Sequence, residues 1–167
     1  MSIITPEIEY VDRSMESIRY LEHGWPSDLC RWHSHREFEL HLIVATRGKA
    51  FVGDYIGEFR PGSLFLTGPY LPHNWVTDEI TSRHVSTRDM LVQFDQESVN
   101  SLSLAFPEFD DMRQMFELAR SGIEFHGFDA KLVQRRLAEI RDSSGPARIL
   151  AFLQLLVEIN QHAEMRQ

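Results

Sequence analysis

Histidine and glutamate side chains alternate with apolar residues between positions 32 and 42. Side chains of a strand alternate between the two faces of a sheet, so His33, His35 and Glu39 can point to one side. Phe38 and the apolar residues at every second position after it fall on the other side. Imidazole nitrogens and carboxylate oxygens are the ligands that Zn, Ni, Mn and Fe take in proteins. The segment therefore predicts part of a divalent-metal site on one face of a strand.

A further ligand is expected from elsewhere in the chain, because metal sites of this kind use three or four side chains. His73 is a candidate. It lies in the segment 71–75, which follows a turn at Gly68 and Pro69 and a short apolar stretch at Leu64–Thr67.

The two segments together resemble the two sequence motifs of the cupin superfamily. The first is His-x-His-x-x-x-Glu, ending at Glu39, and the second is a Pro-His pair whose histidine lies 34 residues later, with a Pro-Gly turn and an apolar strand between them. The resemblance implies a double-stranded β-helix, or jelly-roll, barrel. It also implies that the metal ligands inside this barrel are His33, His35, Glu39 and His73.

The longer run from about residue 25 to residue 95 is similar to the N-terminal sensor domain of AraC-type transcriptional regulators. This resemblance implies that residues 1–95 form a barrel that binds a small-molecule effector. It implies that residues 96–167 form helices that pack on the barrel and pair two copies into a homodimer. The regulator's helix-turn-helix domain is expected beyond Gln167, so the chain would contact DNA only through that absent domain.

Composition agrees with one compact domain. The chain has 167 residues, of which 43% are hydrophobic and 25% charged, a globular balance. A formal net charge of -8 argues against a stand-alone nucleic-acid binder, which needs clustered Lys and Arg.

The single Cys30 cannot form an internal disulfide, and the N-terminus has neither a basic start nor a long apolar run, which indicates the cytoplasm. No stretch approaches the roughly 18 apolar residues that a membrane helix needs.

The order of the elements predicts a mainly β fold with C-terminal helices. Short alternating segments bounded by turn residues predict strands near residues 8–10, 18–21, 37–46, 50–52, 64–67, 74–77 and 90–94. A turn at residues 47–49 predicts a hairpin between the third and the fourth of these. After Asp95 the pattern is helical throughout, with four helices that begin near Asp95, Pro107, Asp129 and Pro146.

Five further residues are predicted to line a ligand pocket, because such pockets combine aromatic walls with a few polar groups. They are Trp32, His41, Tyr55, Trp75 and Gln93. A metal-free barrel interior that binds an organic ligand directly is the alternative to the metal site. The remaining histidines are expected to lie on the surface or to form hydrogen bonds in the core.

Two functions from different classes fit these residues. The first is an effector-sensing and dimerising domain of a regulator, without catalytic residues. The second is a stand-alone metal-dependent cupin enzyme, such as a dioxygenase, a decarboxylase or a sugar isomerase. The sequence contains no nucleophile elbow, phosphate loop or dinucleotide fingerprint, and the long helical segment after the barrel favours the sensor.

The predicted helix from Pro146 to Asn160 is apolar over more of its surface than one packed face requires. The surplus can be buried by the preceding helix, which carries Leu132, Leu137 and Ile140, or by the same helix of a second subunit across a two-fold axis.

Overall fold

The structure is a computed structural model that describes residues 5–10, 16–28, 31–78 and 83–167, so Cys30 lies outside the described residues. The described strands are β1 (Glu7–Ile8), β2 (Ile18–Trp25), β3 (His33–Ser34), β4 (Phe38–Ile43), β5 (Gly48–Val52), β6 (Tyr55–Phe59), β7 (Leu64–Thr67), β8 (His73–Thr77), β9 (Val85–Phe94), β10 (Ile123–His126) and β11 (Glu164–Arg166). The helices are α1 (Gln96–Ala105), α2 (Arg113–Leu118), α3 (Ala130–Asp142) and α4 (Gly145–His162). Two 3-10 helices, Pro107–Met112 and Ala119–Ser121, flank α2.

Across the described residues the strands form two hydrogen-bonded sheets. One sheet has the order β1-β3-β8-β5-β6 and the other has the order β11-β10-β7-β4-β9-β2. The β1–β3 pair is parallel, while β4 pairs antiparallel with both β7 and β9. The sheets face each other, since Phe65 of the second sheet packs against Trp75 of the first, with ring centroids 5.9 Å apart.

Strand β4 is buried on both faces, and this is what positions the site. Phe38, Leu40 and Leu42 point towards the helices and join the larger apolar core. Glu39 and His41 alternate with them and point between the sheets, where they are also buried. The alternation of the sequence is therefore translated directly into one apolar face and one polar interior face.

The predicted helix starts are confirmed at two caps. The Asp95 carboxylate accepts a hydrogen bond from the N–H of Ser98, and the Asp129 carboxylate accepts from the N–H groups of Lys131 and Leu132. Helix α3 packs along α4, and Arg136 of α3 contacts Glu158 of α4 at 2.7 Å. Apolar residues of both helices are buried in the same core, which confirms the intramolecular part of the explanation for the wide apolar surface of α4.

Two predictions about connectivity are wrong. Residues 37–46 and 50–52 do not form a hairpin, because β4 and β5 belong to different sheets and β5 pairs with β6 and β8. The segment after Asp95 is not purely helical, because β10 pairs with β7 and β11 pairs with β10. The strand segments that pair with β4 are buried on both faces, whereas Lys49 of β5 is exposed to solvent.

Within the described part of the chain, no helix combines the length and the apolar character that a membrane crossing requires.

Candidate metal centre

Three strands and one connecting segment bring the predicted metal quartet together. His33 of β3 lies directly opposite His73 of β8 in the first sheet. His35 follows β3, and Glu39 enters from β4 in the second sheet. The four side chains therefore meet between the sheets, although Glu39 and His73 are far apart in sequence.

The donor atoms of the quartet lie close enough to share one ion. One donor atom from each of the four residues can be chosen so that all lie within 4.8 Å of one another. His35 Nε2 is 3.1 Å from Glu39 Oε2, and His73 Nε2 is 3.6 Å from Glu39 Oε1. The His33 and His73 rings meet edge to face, with centroids 4.5 Å apart.

The backbone fixes the tautomer of each of these histidines. Every Nδ1 atom lies within hydrogen-bonding distance of a backbone carbonyl two positions away: His33 with Arg31 at 2.8 Å, His35 with Glu37 at 3.1 Å, and His73 with Leu71 at 2.8 Å. A carbonyl can only accept, so Nδ1 carries the ring proton and donates it. In the neutral ring the Nε2 lone pair then points to the centre, as in metal-binding histidines of known sites.

The protonation preferences of His33 and Glu39 suit a cation, whereas the raised pKa of His35 means that an ion must displace a proton from its ring. Burial, with the neighbouring His73 ring, lowers the pKa of His33 and keeps its imidazole neutral. Burial acts to raise the pKa of Glu39, but hydrogen bonds from His35 and His41 outweigh it and hold that pKa well below the usual range. For His35, burial lowers the pKa while the Glu39 carboxylate raises it, and the net pKa is raised.

One atom in particular is left for a ligand. His73 Nε2 is fully buried and forms no hydrogen bond within the described residues. A buried nitrogen lone pair that accepts no hydrogen bond destabilises the fold unless it binds a cation or a hydrogen-bond donor. Three imidazoles and one carboxylate therefore fit Zn, Ni, Mn or Fe both in donor type and in preset orientation.

His41 lies beside the quartet but is bonded differently. Its Nδ1 is 2.8 Å from Glu39 Oε1 and its Nε2 is 3.3 Å from Asp89 Oδ2. Its ring stacks on Trp75, with centroids 4.1 Å apart. Burial acts to lower the pKa of His41, but the Asp89 and Glu39 carboxylates together raise it to about 9. His41 is therefore protonated near neutral pH and cannot be a metal ligand in that state.

Asp89 connects His41 to residues nearer the surface through hydrogen bonds and ion pairs. Its carboxylate accepts a hydrogen bond from Arg88 Nε at 2.7 Å and lies 2.8 Å from Nδ1 of His23, whose side chain is partly exposed. Burial opposes this charge, but His41, His23 and Arg88 hold the pKa of Asp89 below its ordinary value. Sequence reasoning missed Asp89, although it lies on the inward face of β9 two positions before Leu91 and four before Gln93.

The residues predicted to bind a ligand are divided between two places. His41, Trp75 and Gln93 line a cavity of about 50 Å³ that also touches His33 and Glu39, and Gln93 donates to Glu39 Oε2 at 3.0 Å. Tyr55 lines a separate cavity of about 260 Å³. Trp32 is half-buried, and its backbone carbonyl accepts a hydrogen bond from the N-terminal strand.

The cavity beside the quartet is small and partly enclosed. Its volume of about 50 Å³ has room for a few waters, far below the roughly 300–1,000 Å³ of cavities that enclose drug-sized ligands. Glu9 and Arg31 line it on the side of β1. A larger ligand can reach the quartet only if part of this wall moves.

No protein-family model matches the chain, and no curated protein sequence matches it. Among solved structures it is similar to ToxT from Vibrio cholerae O395 bound to (E)-4-(8-methylnaphthalen-1-yl)but-3-enoic acid, with a TM-score of 0.47 and 10% identity over 87% of this chain and 58% of that chain. It is similar to the AraC-like transcriptional activator CuxR, with a TM-score of 0.39 and 11% identity over 75% of this chain and 40% of that one.

A third similar structure is Streptomyces albus HEPD with 2-hydroxyethylphosphonate and Fe(II) bound, with a TM-score of 0.36 and 11% identity over 90% of this chain and 43% of that chain. The chain spans less than two thirds of the length of each of the three. At these identities neither a ligand nor an activity can be transferred to this chain.

Proposed function

We propose that the chain is the effector-sensing and dimerisation domain of an AraC-type transcriptional regulator that works in the cytoplasm. Its two sheets form a cupin-type jelly-roll barrel, in which a divalent ion, Zn, Ni, Mn or Fe, is held by His33, His35, Glu39 and His73. A small-molecule effector binds beside the ion. Contact with DNA belongs to a helix-turn-helix domain outside residues 1–167.

The observation that carries the metal part of the proposal is the orientation of the three imidazoles. Each Nδ1 atom is held by a backbone carbonyl, and His73 Nε2 has no hydrogen-bond partner among the described residues. Backbone bonds do not depend on an ion, so the donors are already arranged for one. A bound ion would supply a Lewis-acid anchor for an oxygen donor of the effector.

The hydrogen bonds around Glu39 favour binding over turnover. A general base needs a free lone pair within reach of the substrate proton. The Glu39 carboxylate already contacts His35, His41 and Gln93, and the Asp89 carboxylate contacts His41, His23 and Arg88. Groups held in this way can orient a ligand but are poorly placed to exchange protons with it.

The metal content of purified protein tests the proposal. We expect wild-type protein to retain about one divalent ion per chain after dialysis, and the double variant His33→Ala/His35→Ala to bind more than about 100-fold more weakly, beyond the 10–100-fold typical of groups that only support a ligand. The control is His126→Ala/His162→Ala, which removes two histidines outside the site. Equal metal content in wild type and the His33/His35 variant would overturn the metal assignment.

A metal-dependent enzyme is the second candidate, favoured by one observation. The small cavity touches His33 and Glu39 on one side of the quartet, and catalytic metal sites likewise keep a coordination position open to such a space. Steady turnover of a substrate by metal-loaded protein, abolished by Glu39→Gln, would establish the enzyme and remove the sensor.

Helix α4 supports the dimer, because part of its apolar surface is left after α3 has packed against it. Leu155 and Leu156 are buried, but Leu150 is 68% exposed and Leu153 is partly exposed. We expect sedimentation to show a dimer at roughly tens of micromolar and a monomer for Leu150→Lys/Leu153→Lys. Leu104→Lys on α1 is the control. A wild-type monomer, or a dimer unchanged in the double variant, would exclude this surface.

A further inference from the structure

The N-terminal strand lies directly against the metal quartet. Strand β1 pairs in parallel with β3, so that Glu7 lies opposite His33. The N–H of Glu7 donates to the carbonyl of Trp32 at 3.1 Å, and the N–H of Glu9 donates to the carbonyl of Ser34 at 2.8 Å. These two backbone bonds place the next side chain, Glu9, at the edge of the cavity beside the quartet.

The Glu9 carboxylate faces the nitrogen that His33 turns to the centre. Glu9 Oε2 is 3.7 Å from His33 Nε2, and Glu9 also lines the cavity. Two donors that are each about 2.1 Å from one ion are separated by roughly 3.0 Å at a right angle and roughly 4.2 Å when opposite. The observed 3.7 Å falls between these limits, so the Glu9 oxygen already lies at the spacing of a neighbouring ligand.

The attachment of Glu9 is weak on its other side. Glu9 Oε1 is 3.8 Å from Arg19 Nη1, which is too long for a hydrogen bond. Ile8 and Tyr10, on either side of Glu9, are both exposed. Among the described residues, β1 is held by backbone hydrogen bonds to the single neighbouring strand β3 and by surface ion pairs, which contribute little to stability. The strand can therefore leave without disturbing the core.

The charge of the site gives Glu9 a reason to bind. The His41 cation already balances the single carboxylate of the quartet, so a divalent ion brings uncompensated positive charge into a buried site, which is costly. A second carboxylate lowers that charge by one. Oxygen donors from carboxylates are also acceptable to each of the four candidate metals.

We propose that Glu9 is a fifth, detachable metal ligand that occupies the position facing the cavity. Strand β1 thereby closes the metal centre, and a ligand that binds the ion from the cavity must displace Glu9 and release the strand. This inference rests on the proposed metal site and adds Glu9 as the group that occupies the coordination position on the cavity side.

Titration with Co²⁺ alone tests the inference, because its visible absorption reports coordination number. We expect Glu9→Gln to bind Co²⁺ about 10–100-fold more weakly than wild type, with a spectrum shifted towards four-coordination. The control Glu7→Gln removes the same charge from the same strand, where the carboxylate contacts Arg31 at 3.2 Å, and should match wild type. His73→Ala should lose most of the binding.

A second measurement follows the strand itself. In wild-type protein, Co²⁺ should slow amide hydrogen exchange in residues 7–9, and this slowing should be absent in Glu9→Gln. Wild-type affinity, spectrum and exchange in Glu9→Gln would overturn the fifth ligand while leaving the quartet intact. A wild-type chain that binds no Co²⁺ would instead overturn the metal site and this inference with it.

Discussion

His33 and His41 lie on either side of Glu39 and differ in what their Nδ1 atoms contact. Nδ1 of His33 donates to the carbonyl of Arg31, whereas Nδ1 of His41 lies against the Glu39 carboxylate. A carbonyl has no charge, so burial lowers the pKa of His33 and leaves its ring neutral. Two carboxylates raise the pKa of His41 to about 9 and leave its ring charged.

The difference separates a ligand from a structural cation within one interior. Nε2 of His33 and of His73 is left for an ion because the backbone holds Nδ1, whereas Nε2 of His35 also contacts Glu39 Oε2 at 3.1 Å. His41 and Arg88 instead balance the charges of Glu39 and Asp89, which would otherwise be buried without compensation. The chemistry of an interior histidine is therefore decided by its hydrogen-bond acceptor more than by its position on the strand.

The largest expected effect is a loss of stability in Asp89→Asn, which removes one carboxylate of the charged network around His41. Asp89 contacts His41, His23 and Arg88. Removing its charge leaves two buried cations with too few anions, and breaking a buried pair costs roughly 3–5 kcal/mol. Urea unfolding should show a loss of this size.

The matched control for this substitution is Asp142→Asn. Asp142 is exposed and bonds to its neighbour Arg141, so its loss should change the unfolding free energy by less than about 0.5 kcal/mol. An effect of Asp89→Asn as small as that of the control would contradict the charged network.

The next effect is a dependence of stability on pH in metal-free protein. The pKa of His41 is raised from 6.5 to about 9 on folding, so its contribution is complete below about pH 6.5 and is lost as pH rises through about 9. The contribution is on the order of 3 kcal/mol. Urea midpoints between pH 6 and 10 should fall in wild type and stay flatter in His41→Gln; equal slopes would contradict the raised pKa.

The smallest expected effect is that of His41→Gln on Zn²⁺ affinity, which compares His41 directly with the proposed ligand His35. His41→Gln keeps a donor for Glu39 but removes the charge, and should change Zn²⁺ affinity by less than about 100-fold, within the range of groups that only support a ligand. His35→Gln, which removes a proposed ligand, should lower it by more than about 100-fold. Competition with a chelating dye measures both. A loss in His41→Gln as large as in His35→Gln would make His41 a ligand.

The residues of the quartet could be predicted from their types and spacing, but the predicted single strand with one polar face is wrong. His33 belongs to β3 of one sheet and Glu39 to β4 of the other, and the structure brings them together with His35 and His73 between the sheets. Strand alternation does hold within β9, where Asp89 lies on the same face as Leu91 and Gln93. Glu9 could not be found in this way, since its position depends on the pairing of β1 with β3.

The pairing of strands was harder to predict than their existence. Leu40 of β4 packs beneath helices together with residues of β7 and β9, and this burial selects its neighbours. Strand β6 was obscured by Gly57, where any side chain would collide with the Tyr55 ring. In β10, Ile123 and Phe125 do alternate with polar residues. A strand of only four residues that directly follows a helix end is nevertheless too short for its periodicity to predict a strand.

The quartet draws His33 and His73 from one sheet and Glu39 from the other. An ion held by all of them would fasten the sheets together, and its binding free energy would add to that of folding, by about 2.7 kcal/mol at one hundred times its dissociation constant. Proteases degrade the opened form of a protein, so a fastened chain survives longer. Metal scarcity in the cell would then appear first as a fall in the abundance of this protein.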